Sequence, residues 1–228
     1  KTGSFKVRGA YSKINSLTDE QCKKGVIAAS AGNHAQGVAY AALKRNIKCS
    51  IVMPKNASPA KVAATRSYGA NVILSGDTYD ESWKTADLLA RDSGYSIIHA
   101  FDDPVVIAGQ GTIGLELMED LKDIDTVYLP LGGGGLASGV SIAIKAKRPN
   151  VKIIGVESKQ FPAMKKSLDN GSLCHIAGGF TIADGISVKS PGELTFEICS
   201  KYLDDVVTVD DVAIVETMFT LMEREKVV

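Results

Sequence analysis

Residues 25–46 read GVIAASAGNHAQGVAYAALKRN: a short β-branched run, a turn of small residues, then an apolar pattern at helical spacing. A strand that feeds a helix through a glycine-containing turn is the repeating unit of an α/β fold. Working outward, five further runs have the same strand character: KCSIVMP (48–54), ANVILSG (70–76), YSIIHA (95–100), TVYLPLG (126–132) and VKIIGVES (151–158). Helical patterns lie between several of them, at 58–69, 79–94 and 108–121. Alternation of this kind predicts open parallel sheets with helical crossovers. Acids and Pro104 interrupt the pattern at FDDPVV (101–106), which predicts a boundary there. The expected partition is a small α/β domain over 27–102 and a larger one made of 1–26 plus 103–228.

The turn inside 25–46 sits where ligands collect in such folds, at a strand's carboxyl end and a helix's N-terminus. Gly32 permits an unusual backbone turn that would aim the amides of Gly32, Asn33 and His34 at an anion such as a carboxylate. Asn33 could add a hydrogen bond to a ligand oxygen. A plainer alternative stays open: Ser30 and Asn33 cap the helix, and His34 lies on its surface.

The chain begins KTGSFKVRGA, and Val7, Ala10, Ile14 and Leu17 recur at helical spacing, with Tyr11 widening the stripe and Ser4 as the N-cap. Lys6 then falls in the first turn, where a helix disfavours a cation. Either it is a solvated surface lysine, or the positive local field lowers its pKa and makes it a neutral, nucleophilic amine.

A third stretch, LGGGGLASGV (131–140), joins a strand to a helix through four glycines. A linker is a poor account of glycines flanked by apolar regular segments. Consecutive amides at a helix N-terminus form a cradle for a phosphate group. Gly132-x-Gly134-x-x-Ala137 also fits a loose dinucleotide fingerprint, with Glu157 as a ribose-binding acid somewhat beyond the usual offset. That reading leaves Lys6 and the SAGNH turn unexplained. A phosphate cradle, an amine able to form an imine and an amide near a ring oxygen together suit pyridoxal phosphate.

KTGSFKVRGA, SAGNHAQGVAYAA, IAGQGTIGLEL, GGGGL and TIADGISVKSPG resemble the fold type II pyridoxal-phosphate enzymes, specifically threonine dehydratases and the related serine racemases. The resemblance covers essentially the whole chain. It implies the two-domain, tryptophan synthase β-like architecture, with pyridoxal 5'-phosphate as cofactor. Lys6 would join the cofactor aldehyde, Phe5 would lie against the cofactor, and Asn33 would bond its ring hydroxyl. Gly132, Gly133, Gly134, Gly135 and the Leu136 amide would hold the phosphate, while Ser30, Gly32, Asn33 and His34 would line the substrate site. The implied reaction is α,β-elimination of L-threonine, and of L-serine, to 2-oxobutanoate or pyruvate plus ammonia, in isoleucine biosynthesis or threonine catabolism. Serine racemases carry a serine where this chain has Ala31, and an acid where it has Ala163. Racemisation and a racemase-type metal site, for which Glu157 is a weak candidate, are therefore the less favoured readings. A non-catalytic cofactor-binding fragment is the alternative outside enzymology.

Lys+Arg and Asp+Glu both number 26 among 228 residues, which gives no sign of a nucleic-acid or anionic-membrane partner. No apolar run reaches the ~20 residues of a membrane span. Four dispersed cysteines (Cys22, Cys49, Cys174, Cys199) without a CxxC pair suit a reducing compartment, the cytoplasm or an organelle matrix. A homo-oligomer acting on a small amino acid is expected. The chain opens at Lys1 inside a motif and stops in mid-pattern, so it reads as cut at both ends, with the family's pyridine-nitrogen partner beyond Val228.

Overall fold

A computed structural model describes residues 2–226, which divide by internal packing into one compact unit ending at Thr112 and another starting at Ile113. The first unit opens with α1 (Lys6–Asn15) and α2 (Asp19–Lys24), followed by β1 (Val26–Ala29), α3 (Asn33–Lys44) and β2 (Cys49–Met53). It continues through α4 (Pro59–Arg66), β3 (Asn71–Leu74), α5 (Tyr79–Ser93), β4 (Ser96–Ile97) and the start of α6 (Pro104–Asp120). Its sheet has the order β3-β2-β1-β4, with every pair parallel. The five expected helix and strand segments over 25–76 form as read, because apolar runs such as Cys49–Met53 are buried along their whole length. Ile27, Ile51 and Met53 are fully buried, each contributing about 1.5–3 kcal/mol of apolar burial.

Helix α1 packs against α3 within this unit, which takes in residues 27–102 and also 103–112. The contact is close because Gly37 faces the start of α1: a Cβ there would stand 3.2 Å from the carbonyl carbon and oxygen of Lys6. On another side of α1, Gly9 faces α6. Its amide donates to Oε1 of the buried Gln110 at 3.2 Å, so a side chain from another helix satisfies a first-turn donor.

Pro104 does not interrupt structure as its sequence context suggested. It opens α6, with Asp103 accepting from the amides of Val105 (2.8 Å) and Val106 (3.0 Å). A proline lacks the N–H that the first helical position leaves unpaired anyway, and an aspartate before it serves as cap.

The second unit comprises the rest of α6, β5 (Thr126–Pro130), α7 (Gly135–Lys147), β6 (Lys152–Ser158) and α8 (Ala163–Asn170). A 3-10 turn (Asp184–Ile186), α9 (Glu193–Tyr202), β7 (Asp205–Val209) and α10 (Asp211–Arg224) complete it. Its three strands, in the order β5-β6-β7, are again parallel. Strand β7, DVVTV, was not among the expected strands. It is held by pairing with β6 and by burial of Val206.

Candidate functional site

In the first sheet β1 has β2 on one side and β4 on the other, so the strand order reverses there. A reversal of this kind opens a crevice at the strands' carboxyl ends. Residues 30–33 leave β1 there, and residues 98–102 leave β4. His34 ties the two together: it is 3% exposed, and its Nε2–H donates to the Ile98 carbonyl at 2.8 Å. Because a carbonyl only accepts, Nε2 carries the proton and Nδ1 presents a lone pair. Nδ1 is buried without a partner among the described residues. Burial, then the nearby charge of Lys6, lower the His34 pKa to about 3 against the pull of the Ile98 carbonyl, so the ring is neutral. His34 does not lie on the helix surface.

Lys6 enters the same region from α1. Its side chain is half-buried and Nζ donates to the Ala100 carbonyl at 2.8 Å. Burial lowers its pKa to about 8. The sequence reading expected a lowered pKa from the helix field; the cause here is desolvation. Lys6 is the first residue of α1, the cap position belongs to Phe5, and Ser4 Oγ accepts from the Lys6 amide at 3.3 Å. Ser4 therefore serves the helix start from one position earlier than expected. The Phe5 ring lies 5.5 Å from Lys6 Nζ.

Gly32 makes an unusual turn, with ψ −141°. Its φ is −133°, which is not the left-handed region, and a Cβ placed there would meet nothing within 4 Å. What the glycine leaves is open space beside the turn. Ser30 Oγ accepts from the Gly32 amide at 3.2 Å, and α3 has no side-chain cap. Among the described residues the α3 N-terminus has no side-chain acceptor at its cap, and Asn33, its first residue, is exposed.

In the second unit the glycine loop follows β5. Gly133, Gly134 and Gly135 are buried, while Gly132 and Leu136 are partly so. Among the described residues, none of the five amides from Gly132 to Leu136 finds an acceptor. The loop's carbonyls are committed instead: Gly133 O accepts Thr195 Oγ1 at 2.6 Å, and Gly134 O accepts the Ser138 amide at 2.8 Å. Gly134 has φ +95°, and a Cβ on it would stand 2.7 Å from Thr195 Cβ and 2.9 Å from Met164 Cε. A Cβ on Gly132 would come within 3.0 Å of Ile186 Cα, where the segment 184–186 crosses. Buried amides left unpaired at a helix N-terminus are a site for a phosphate.

Glu157 is fully buried, and its carboxylate accepts from the Met164 and Lys165 amides at 2.8 Å each, at the start of α8. It is thus committed to a helix terminus and offers nothing to a ribose, which removes the support for a dinucleotide. No group of three or more His, Cys, Asp or Glu side chains among the described residues is placed to hold a metal ion. Burial raises Glu157 to about 7 despite those two amides.

Several contributors carried no signal that a sequence reading could use. Ala100 acts through its carbonyl, Thr195 through a contact with Gly133, and Gln110 through the amide of Gly9.

Residues 1–228 match the model of the pyridoxal-phosphate dependent enzymes. The chain belongs to that family. It is 53% identical over its full length to the L-threonine ammonia-lyase of Thermotoga maritima, of which it covers 57%. Among solved structures, the processed threonine deaminase isoform 2 of Solanum lycopersicum superposes with TM-score 0.96 at 43% identity, over 99% of this chain and 66% of that one. Maize serine racemase superposes equally well, with TM-score 0.96 at 40% identity, over 100% of this chain and 69% of that one. The chain thus spans between about half and two thirds of the length of these relatives. The residues present fit the family's cofactor: unpaired buried amides suit its phosphate, and a half-buried amine of lowered pKa suits its aldehyde.

Proposed function

We propose that this protein deaminates L-threonine, and L-serine, by α,β-elimination of water followed by hydrolysis that returns a water as ammonia leaves, yielding 2-oxobutanoate or pyruvate. The observation that carries the reading is Lys6, whose amine meets the Ala100 carbonyl at the reversal point of the sheet with its pKa lowered to about 8. Lys6 would hold the cofactor's aldehyde carbon, with the Phe5 ring beside it. The Gly132–Leu136 amides would hold the phosphate, and Asn33 the ring hydroxyl. Pyridoxal phosphate, when bound, supplies an acceptor for the electron pair left behind when a proton leaves Cα.

As a free amine, Lys6 takes the Cα proton. The α3 amides at Asn33 and His34, with Ser30 beside them, orient the substrate carboxylate as hydrogen-bond donors. His34, being neutral, places no second positive charge beside Lys6, so it does not weaken the amine as a base. Water is kept out until the β-hydroxyl has left, and we assign that delay to movement of the 27–102 segment as a small domain. The reading extends to a homo-oligomer in the cytoplasm or an organelle matrix. No described helix is long and apolar enough to cross a membrane.

Racemisation of serine is the second reading, supported by the likeness to the maize racemase. It requires an acid on the cofactor face opposite Lys6, and Ala31 offers only a methyl group. The test is the product: the full-length holoenzyme with L-threonine should release ammonia and 2-oxobutanoate in equal amounts. Cofactor binding without ammonia release would leave only a binding protein.

A further inference from the structure

The turn that receives Lys6 is itself held by a histidine. His99 Nδ1 accepts from the Asp102 amide at 2.7 Å and from the Phe101 amide at 3.3 Å. Both contacts require a lone pair on Nδ1, so the ring must be neutral with its proton on Nε2. The ring is also fixed in place. It stands edge-on to Trp83 of α5, centroids 5.1 Å apart, and to Phe101, 4.8 Å apart. It cannot turn Nδ1 away without giving up two aromatic contacts, each worth about 0.5–1.5 kcal/mol. The short turn it closes, residues 99–102, carries the Ala100 carbonyl that accepts from Lys6 Nζ at 2.8 Å.

We propose that His99 is a positioning residue: as a neutral imidazole it folds the 99–102 turn so that the Ala100 carbonyl receives the Lys6 amine whenever that amine is free. An amine that donates one N–H to a carbonyl keeps its lone pair available and aimed, which is the state needed to take a proton from Cα. Protonation of His99 puts a hydrogen on Nδ1, opposite two amide hydrogens, and the turn must open.

The groups that bear on this ring come from three elements. Lys6 on α1 opposes its protonation and His34 on α3 is electrostatically coupled to it, whereas Asp102 and Asp103 in the turn favour the protonated ring. Burial outweighs the acids, and the pKa lies below the ordinary 6.5. The device is therefore set at neutral pH and fails as the pH falls. It rests on Lys6 being the reacting amine.

The test uses the full-length holoenzyme and two variants. Asn places an acceptor oxygen where Nδ1 lies but does not titrate, whereas Leu has no acceptor. In His99→Leu, kcat should fall about 10- to 100-fold with KM little changed. Amide exchange at Phe101 and Asp102 should be fast at every pH in that variant. In His99→Asn, most of kcat should return, the amides should stay protected, and the acid limb of the kcat profile should move or vanish. The proposal is overturned if the Leu variant keeps both protection and kcat, or if the Asn variant keeps the parent's acid limb and pH-dependent protection. Failure of the Lys6 assignment is distinguishable, because it would appear as a lysine-bound cofactor band surviving in Lys6→Ala while the exchange results stand.

Discussion

Lys6 is shifted by burial alone, to about 8, so at pH 7 about a tenth of it is neutral, against less than about a thousandth for a lysine in water. The neutral fraction rises as pH rises through 8, and reductive methylation of Lys6 in the cofactor-free protein should accelerate through that range rather than near 10.5. Replacing the amine, as in Lys6→Ala, should remove the visible absorption of the lysine-bound cofactor and lower ammonia release by about 10²–10⁴-fold, the usual worth of a positioned proton-transfer group. An unchanged spectrum would refute the assignment. At Ala31 the sensitive quantity is the ratio of products: Ala31→Ser should raise the D-serine formed per pyruvate from L-serine, read by chiral chromatography. A parent that already makes both at equal rates would mean that another residue supplies the second proton.

Elements differ in how openly the sequence declares them. Strands such as Cys49–Met53 are buried from end to end, and their apolar runs say so. Strand Asp205–Val209 mixes acid, hydroxyl and valine, and its stability comes from a partner about fifty residues earlier, which no local pattern encodes. Pro104 was open to a correct reading, since Asp-Pro is a helix-start signal, but the preceding run of polar residues looked like a break. The glycine loop was legible because four consecutive glycines are expensive in backbone entropy. Its clamp, Thr195, lies 62 residues from Gly133 and gave no sign. Two element-scale changes test these roles. Gly134→Ala meets both a φ of +95° and the Thr195 and Met164 side chains; it should destabilise the fold by about 1–3 kcal/mol and weaken cofactor retention, measured by denaturant midpoint and by dialysis. Gly37→Ala should leave the glycine loop intact but push the start of α1 from α3, lowering kcat more than stability.

For the molecule as a whole, Glu157 couples stability to pH. Its folded pKa, about 7, lies above the ordinary 4.5, so between those values the native state holds a proton that the unfolded chain does not. The resulting contribution is full below 4.5 and disappears as pH rises through 7. Comparing Glu157→Gln with the parent at pH 5 and pH 8 should show the parent losing more stability on going to pH 8, with a slope difference of no more than about 1.4 kcal/mol per pH unit. Parallel pH curves would show that the carboxyl stays ionised, held by the Met164 and Lys165 amides. The end of a strand suggested this glutamate as a ribose ligand, and the resemblance to serine racemases suggested it as a weak metal ligand. Its use as a helix-terminus acceptor depends on where the 163–170 helix starts in space.

Thr195 and Ser138 tie down the carbonyls of Gly133 and Gly134, whereas the five amides from Gly132 to Leu136 find no acceptor among the described residues. The wall they form has a fixed sign that no proton can alter, since peptide groups do not titrate in the physiological range. It attracts anions and has nothing to offer a hydrated cation. Release of a phosphate ester from this wall should therefore follow the ester's own second ionisation, near pH 6, rather than any side chain of the protein.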